Sequence, residues 1–187
     1  MRIFVPICLF AALVLLGAFG YAGKKATHTE ASKWPTKEKV GIQKGDRAPG
    51  ITLRNLQGKS VKLSDFRGKI VLINFWATWC TNCKAEMGTL QKYYQDHHTK
   101  GFVVLSVNDT TAEKNRQAVK NFMSRKKLTF PVVLDSNGIA SGQYRVGGLP
   151  TSFFIGPKGQ VQAENVGPLT YNTIAKVVNR IVSDTKS

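Results

Sequence analysis

The chain has 187 residues and a mass of 20.6 kDa, room for one ordinary domain with an appendage. At 42% hydrophobic and 20% charged residues, the bulk of it is too apolar to be disordered. Lys and Arg number 27 against 11 Asp and Glu, a formal net charge of +16 that favours an anionic partner or surface without naming one. Three cysteines are too few for a disulfide-stapled scaffold. The basic residues are spread along the chain with no basic helix or aromatic-interleaved patch, which argues against nucleic acid as a partner.

From Ile3 to Ala22 no side chain is charged. As a helix this run is about 30 Å long, the thickness of a bilayer core. Its length favours an uncleaved single-pass anchor over residues 1–23, inserted in the bilayer through residues 3–22. Gly20-Tyr21-Ala22 also offers a small-residue cleavage site, so removal as a signal peptide stays open. Cys8 reads as a membrane-buried hydrophobe. Arg2 precedes the run and Lys24 and Lys25 follow it, so the flanking charges do not set an orientation. Residues 24–45, with Trp34 before Pro35, are polar without helical or strand period and read as a flexible tether. Residues 46–187 remain for a folded domain.

In that domain Ile51–Leu56 and Ser60–Leu63 alternate around Gln57-Gly58-Lys59 and predict a β-hairpin. Ile70–Trp76 is a continuous run of branched and aromatic residues, the pattern of a central strand buried on both faces. A helix is predicted from Cys80 to about Tyr94, with Cys83, Met87, Leu90 and Tyr94 inward. Phe102–Val107 predicts a second buried strand, Ala112–Lys126 a helix with Val119, Phe122 and Met123 inward, and Pro131–Leu134 a third strand. Thr151–Ile155 and Gln160–Val166 flank Gly156-Pro157-Lys158-Gly159 as a second hairpin, and Thr170–Val182 closes the chain as an amphipathic helix. The order implies an α/β fold, a mixed sheet with helices on both faces.

Trp79-Cys80-Thr81-Asn82-Cys83 follows the strongest strand and opens a helix. Unpaired N–H groups and the macrodipole at a helix N-terminus stabilise a thiolate, and a thiol there falls from about 8.5 to between roughly 3.5 and 7.5. Cys80, at the start of the helix, is therefore the expected nucleophile. Cys83, one turn on, is the expected resolving thiol. A zinc site would need two further ligands, and only His28 and the His97-His98 pair are available, the latter better suited to capping the helix C-terminus. No metal and no cofactor is expected, since the sulfurs supply the chemistry.

The stretch Asn74-Phe75-Trp76-Ala77-Thr78-Trp79-Cys80 through Cys83 resembles the active-site segment of the thioredoxin superfamily, most of all its membrane-tethered ResA/TlpA-type thiol–disulfide oxidoreductases. The resemblance runs from about Gly45 to Val182. It includes the lead-in Asp46-Arg47-Ala48-Pro49 and the Gly148-Leu149-Pro150-Thr151 loop. It implies a thioredoxin-like fold with an N-terminal β-hairpin extension, and a cis-proline at Pro150 that lays the Leu149 backbone open to a substrate strand. Trp79, Leu149 and Pro150 are the residues expected to meet substrate. The resemblance also implicates Glu86, three residues after Cys83, in handling the cysteine protons, while Asn74 stands where thioredoxins proper usually have a buried carboxylate. Glu86 is accordingly expected to be partly buried with a raised pKa. Gly88 and Thr81-Asn82 depart from prolines common in the family.

The implied activity is extracytoplasmic thiol–disulfide exchange at the cell membrane, in the reducing direction. Its partners would be protein disulfides, for example in apocytochrome c, and a membrane protein that returns electrons. Other readings of the same residues are a disulfide-forming oxidant, a Cu(I) carrier using both thiolates with Met87, and a thiol peroxidase using Thr78 and Arg145.

Overall fold

The computed structural model describes residues 39–186. The expectations for the apolar segment 3–22, Cys8, His28 and Trp34 lie outside them. Among the described residues no helix is long and apolar enough to cross a membrane.

The strands are β1 (Thr52–Asn55), β2 (Ser60–Lys62), β3 (Ile70–Trp76), β4 (Phe102–Asn108), β5 (Val132–Leu134), β6 (Thr151–Ile155) and β7 (Val161–Val166). The helices are α1 (Thr81–His97), α2 (Arg116–Arg125), α3 (Ile139–Gln143) and α4 (Tyr171–Lys186). One seven-stranded sheet has the order β2-β1-β5-β4-β3-β6-β7. Strands β3, β4 and β5 are parallel, whereas the β1–β2 hairpin, β6 and β7 pair antiparallel to their neighbours. This is the mixed sheet that the order of elements implied, with the first hairpin joined to it as an edge extension.

Every residue of β3 is buried, and the strand's period of two divides them between two cores. Ile70, Leu72 and Trp76 join one core with Met87 and Leu90 of α1, Val119 and Phe122 of α2, and Ile174 and Val178 of α4. Val71, Ile73 and Phe75 join the other, with Ala48, Ile51, Leu63, Ala140 and Tyr144. Helices do lie on both faces, but unevenly. Three of the four cover the first face, while the second is closed by α3, a 3-10 turn at Leu63–Phe66 and the lead-in segment.

Five details differ from the sequence expectation. Helix α1 runs on to His97, where the His97 and His98 rings bond the Tyr93 and Tyr94 carbonyls at 3.0 and 3.1 Å. Its inward tyrosine is Tyr93, 1% exposed, whereas Tyr94 is half-buried. The helix expected from Ala112 starts at Arg116, because the Asn115 side chain accepts the Ala118 N–H at 2.9 Å and caps it there. Helix α3 was not foreseen, since five residues including a glycine carry no helical period. Residues 39–45, assigned to the tether by composition, pair with the domain: Arg47 N–H donates to Lys39 O, and Gly45 N–H donates to Val161 O at 2.8 Å.

Gly88 sits on the exposed face of α1, and a Cβ there would meet open space. Gly88→Ala should therefore stabilise the oxidised protein by roughly 0.5–1 kcal/mol through helix propensity alone. Urea denaturation checks this. A loss of stability would mean that the glycine answers a packing need absent from this arrangement.

Candidate active site

Strand β3 ends at Trp76, and a short turn delivers Cys80 to the N-cap of α1. Cys80 Sγ accepts the Cys83 backbone N–H at 3.1 Å, so one of the helix's unpaired donors points at the sulfur. The two cysteines form a disulfide, with Cα atoms 5.3 Å apart. Cys80 retains 7% exposure and Cys83 none, so the N-cap sulfur is the one that an incoming group reaches first.

One turn after Cys83, α1 carries a buried carboxylate. Glu86 is 2% exposed. Its Oε1 accepts from Asn74 Nδ2 at 2.8 Å, and its Oε2 accepts from the Leu169 backbone N–H at 2.8 Å. Asn74 shares the helix-facing parity of Ile70, Leu72 and Trp76, which is why a strand residue meets α1 here. The same Nδ2 donates to Ser152 Oγ at 3.0 Å, and Asn74 and Ser152 are direct cross-strand partners. Burial pushes the Glu86 carboxyl above its ordinary value, against the lowering effect of the Leu169 and Asn74 hydrogen bonds.

Glu113 belongs to the site although nothing in its sequence context marked it. It follows the 3-10 turn Thr110–Ala112 after β4 and reaches back to the turn before Cys80. Its Oε1 accepts from Thr78 N–H at 2.6 Å and from Asn108 Nδ2 at 2.9 Å, and its Oε2 accepts from Thr78 Oγ1. A single carboxylate thus fixes the Ala77-Thr78-Trp79 turn to β4. Only the long-range packing of β4 beside β3 reveals this.

Trp79 is 54% exposed beside the disulfide. The Leu149–Pro150 bond is cis, and Pro150 is buried with Leu149 half-buried. Thr151 Oγ1 donates to Gly148 O at 2.7 Å and Gly167 N–H to Pro150 O at 2.8 Å, holding the loop from both sides. Because β6 starts opposite Phe75, the topology brings this loop to the end of the sheet where β3 delivers Cys80. Among the described residues, the Leu149 N–H and C=O take no backbone hydrogen bond.

The residues of the competing readings are placed otherwise. Met87 is fully buried in the core. The Thr78 hydroxyl is committed to Glu113, and Arg145 follows α3, whose Ala140 packs on the far face of the sheet. Among the described residues no three His, Cys, Asp or Glu side chains are grouped to hold a metal ion.

Two outcomes follow from these carboxylates. With its pKa raised in the folded state, Glu86 binds more protons there than in the unfolded chain. Its contribution is complete below the ordinary value of 4.5 and is lost as pH rises through the folded pKa. Glu86→Gln should remove that part of the fall in stability toward neutral pH; identical pH profiles of unfolding free energy would contradict it. Glu113→Ala should strand the Thr78 N–H and the Asn108 amide and cost about 1–3 kcal/mol, read by urea denaturation of the oxidised form. No change in midpoint would show that the clamp does not matter.

The AhpC/TSA family matches residues 44–164. The chain is 38% identical over 160 residues to the thioredoxin-like protein YneN of Bacillus subtilis, covering 86% of this chain and 90% of that one. It is 36% identical over 169 residues to the thiol-disulfide oxidoreductase ResA of the same organism, covering 90% and 88%. The fold is similar to that of B. subtilis StoA, with a TM-score of 0.62 and 30% identity over 70% of this chain and 96% of that one. It is also similar to a thiol:disulfide interchange protein DsbE from Chlorobium tepidum, with a TM-score of 0.69 and 30% identity over 75% and 99%. With a disulfide at the N-cap of the helix after the central strand and this kinship over nearly the whole chain, the protein belongs to the thioredoxin-like AhpC/TSA family as a thiol–disulfide oxidoreductase of the ResA type.

Proposed function

We propose that the protein reduces protein disulfides outside the cytoplasm, held at the cell membrane by residues 1–23 and a short tether, with apocytochrome c as the client class that the ResA-type kinship supports. The observation that carries the reading is the Cys80 sulfur, which receives a helix N-terminal N–H at the end of the sheet shared with the Leu149–Pro150 loop. In the reduced protein the Cys80 thiolate attacks one sulfur of a client disulfide. The client S–S bond breaks, and the departing thiolate takes a proton. Cys83 then attacks the Cys80 sulfur of the mixed disulfide, expelling the second client thiol and leaving the Cys80–Cys83 disulfide. Two electrons and two protons from a membrane donor protein restore the dithiol.

Glu86 is the acceptor for the Cys83 proton in this scheme. A carboxyl group whose pKa burial raises is better matched to a thiol than an ordinary one. Asn74 suits the task, since its amide meets either state: Nδ2 donates to the carboxylate, and a rotated Oδ1 accepts from the carboxylic acid. Trp79 and the open Leu149 backbone form the surface along which the client lies, strand to strand.

The reduction potential of the Cys80–Cys83 pair tests the direction. A value near or below about −270 mV is expected, and one near about −120 mV would make the protein an oxidant instead. Cys83→Ser should accumulate a mixed disulfide through Cys80, whereas Cys80→Ser should accumulate none. Trapping by Cys80→Ser alone would reverse the assignment of roles.

A further inference from the structure

Positive charge collects at one place beside the disulfide. An open pocket of about 460 Å³ lies between Thr78 of the turn before Cys80, Lys84 in the first turn of α1, and the C-terminal part of α2, with Asn121, Arg125 and the capping Lys126. Lys84 lies one turn below the nucleophile, its N–H donating to Cys80 O at 3.1 Å. All three cations are exposed, and no Asp or Glu lines the pocket. The ion pairs among the described residues, Lys39–Asp46 and Lys92–Asp96, involve none of them. The carboxylate tied to the pocket wall is Glu113, already engaged by Thr78 and Asn108. The sheet order sets this pocket on the β4 side of Cys80 and the Leu149–Pro150 loop on the β6 side. A polypeptide paired along Leu149 and crossing the disulfide therefore continues toward the three cations.

We infer that this pocket seats an acidic side chain of the client polypeptide, a few residues from its reacting cysteine, and so favours clients with a carboxylate beside the disulfide. The inference rests on exchange with protein disulfides. Exposed charges of this kind act on encounter and register more than on final affinity. An anionic membrane headgroup is the competing occupant, disfavoured because Thr78 and Lys84 of the lining flank the Cys80–Cys83 pair that must meet the client.

The test uses the full-length reduced protein in neutral detergent and two disulfide peptides that differ only in Glu or Gln a few residues from one cysteine. At low salt the Glu peptide should be reduced about fivefold faster, the size of one good exposed ion pair. The advantage should vanish at high salt and in the Arg125→Gln/Lys126→Gln double variant. The readout is the Glu/Gln rate ratio, which cancels any common change in Cys80 ionisation. Equal, ready reduction of both peptides would overturn the inference alone, as would a ratio unchanged in the double variant. Failure to reduce either peptide would overturn the disulfide-exchange reading with it. Equal rates that fall when phosphatidylglycerol is added, in the wild type but not in the double variant, would assign the pocket to lipid headgroups and overturn it as well.

Discussion

Strand β3 has no side open to water, and the arrangement of the site depends on that. Because alternate side chains must satisfy two different cores, its register cannot slip by one residue without sending Trp76 and Phe75 to the wrong faces. The register in turn decides that Cys80 emerges at the N-cap of α1 and that Asn74 faces Glu86. A redox pair on a freer loop would have no such fixed relation to the helix N-terminus or to the carboxylate beneath it.

The two glutamates of the site, Glu86 buried and Glu113 half-buried, work differently. Glu86 ties three elements that are distant in sequence: α1 by its own backbone, β3 through Asn74, and the segment before α4 through Leu169. Through Ser152 the same network reaches the strand that begins beside Pro150. The buried Glu86 carboxylate and the strand that leaves the Leu149–Pro150 loop are therefore linked by two hydrogen bonds. Glu113 touches neither cysteine in this network. It holds the turn from the far side, through the backbone and hydroxyl of Thr78.

The legible parts of the molecule were those written as local pattern. The continuous apolar run of β3, the Cys-x-x-Cys spacing at a helix start and the glycine-containing turns at Gly58 and Gly159 each carry their signal within a few residues. Glu86 was reachable through the family resemblance, since its spacing from Cys83 alone suits a solvated surface glutamate better. Glu113 was not, since its meaning arises only when β4 lies beside β3 and the loop after β4 folds back. The start of α2 was misplaced although Asn115 is a strong cap, because the apolar period alone cannot say where the first turn closes. Tyr93 and Tyr94 were exchanged for a related reason: adjacent aromatics both fit a broad apolar stripe, and the stacking of Tyr93 on His97, at 4.1 Å, is a tertiary choice.

The lead-in segment bears on geometry at a larger scale. Gly45, Arg47 and Ala48 are stitched to the β6–β7 turn through Val161, Gln160 and Gly159. That turn lies where β6 ends against Val71, at the foot of β3, while Cys80 lies beyond its head. The chain therefore joins the domain at the pole opposite the disulfide. Residues 39–48 thus lie clear of the end of the sheet at which Cys80 opens, and a partner that meets the disulfide has no need to displace them.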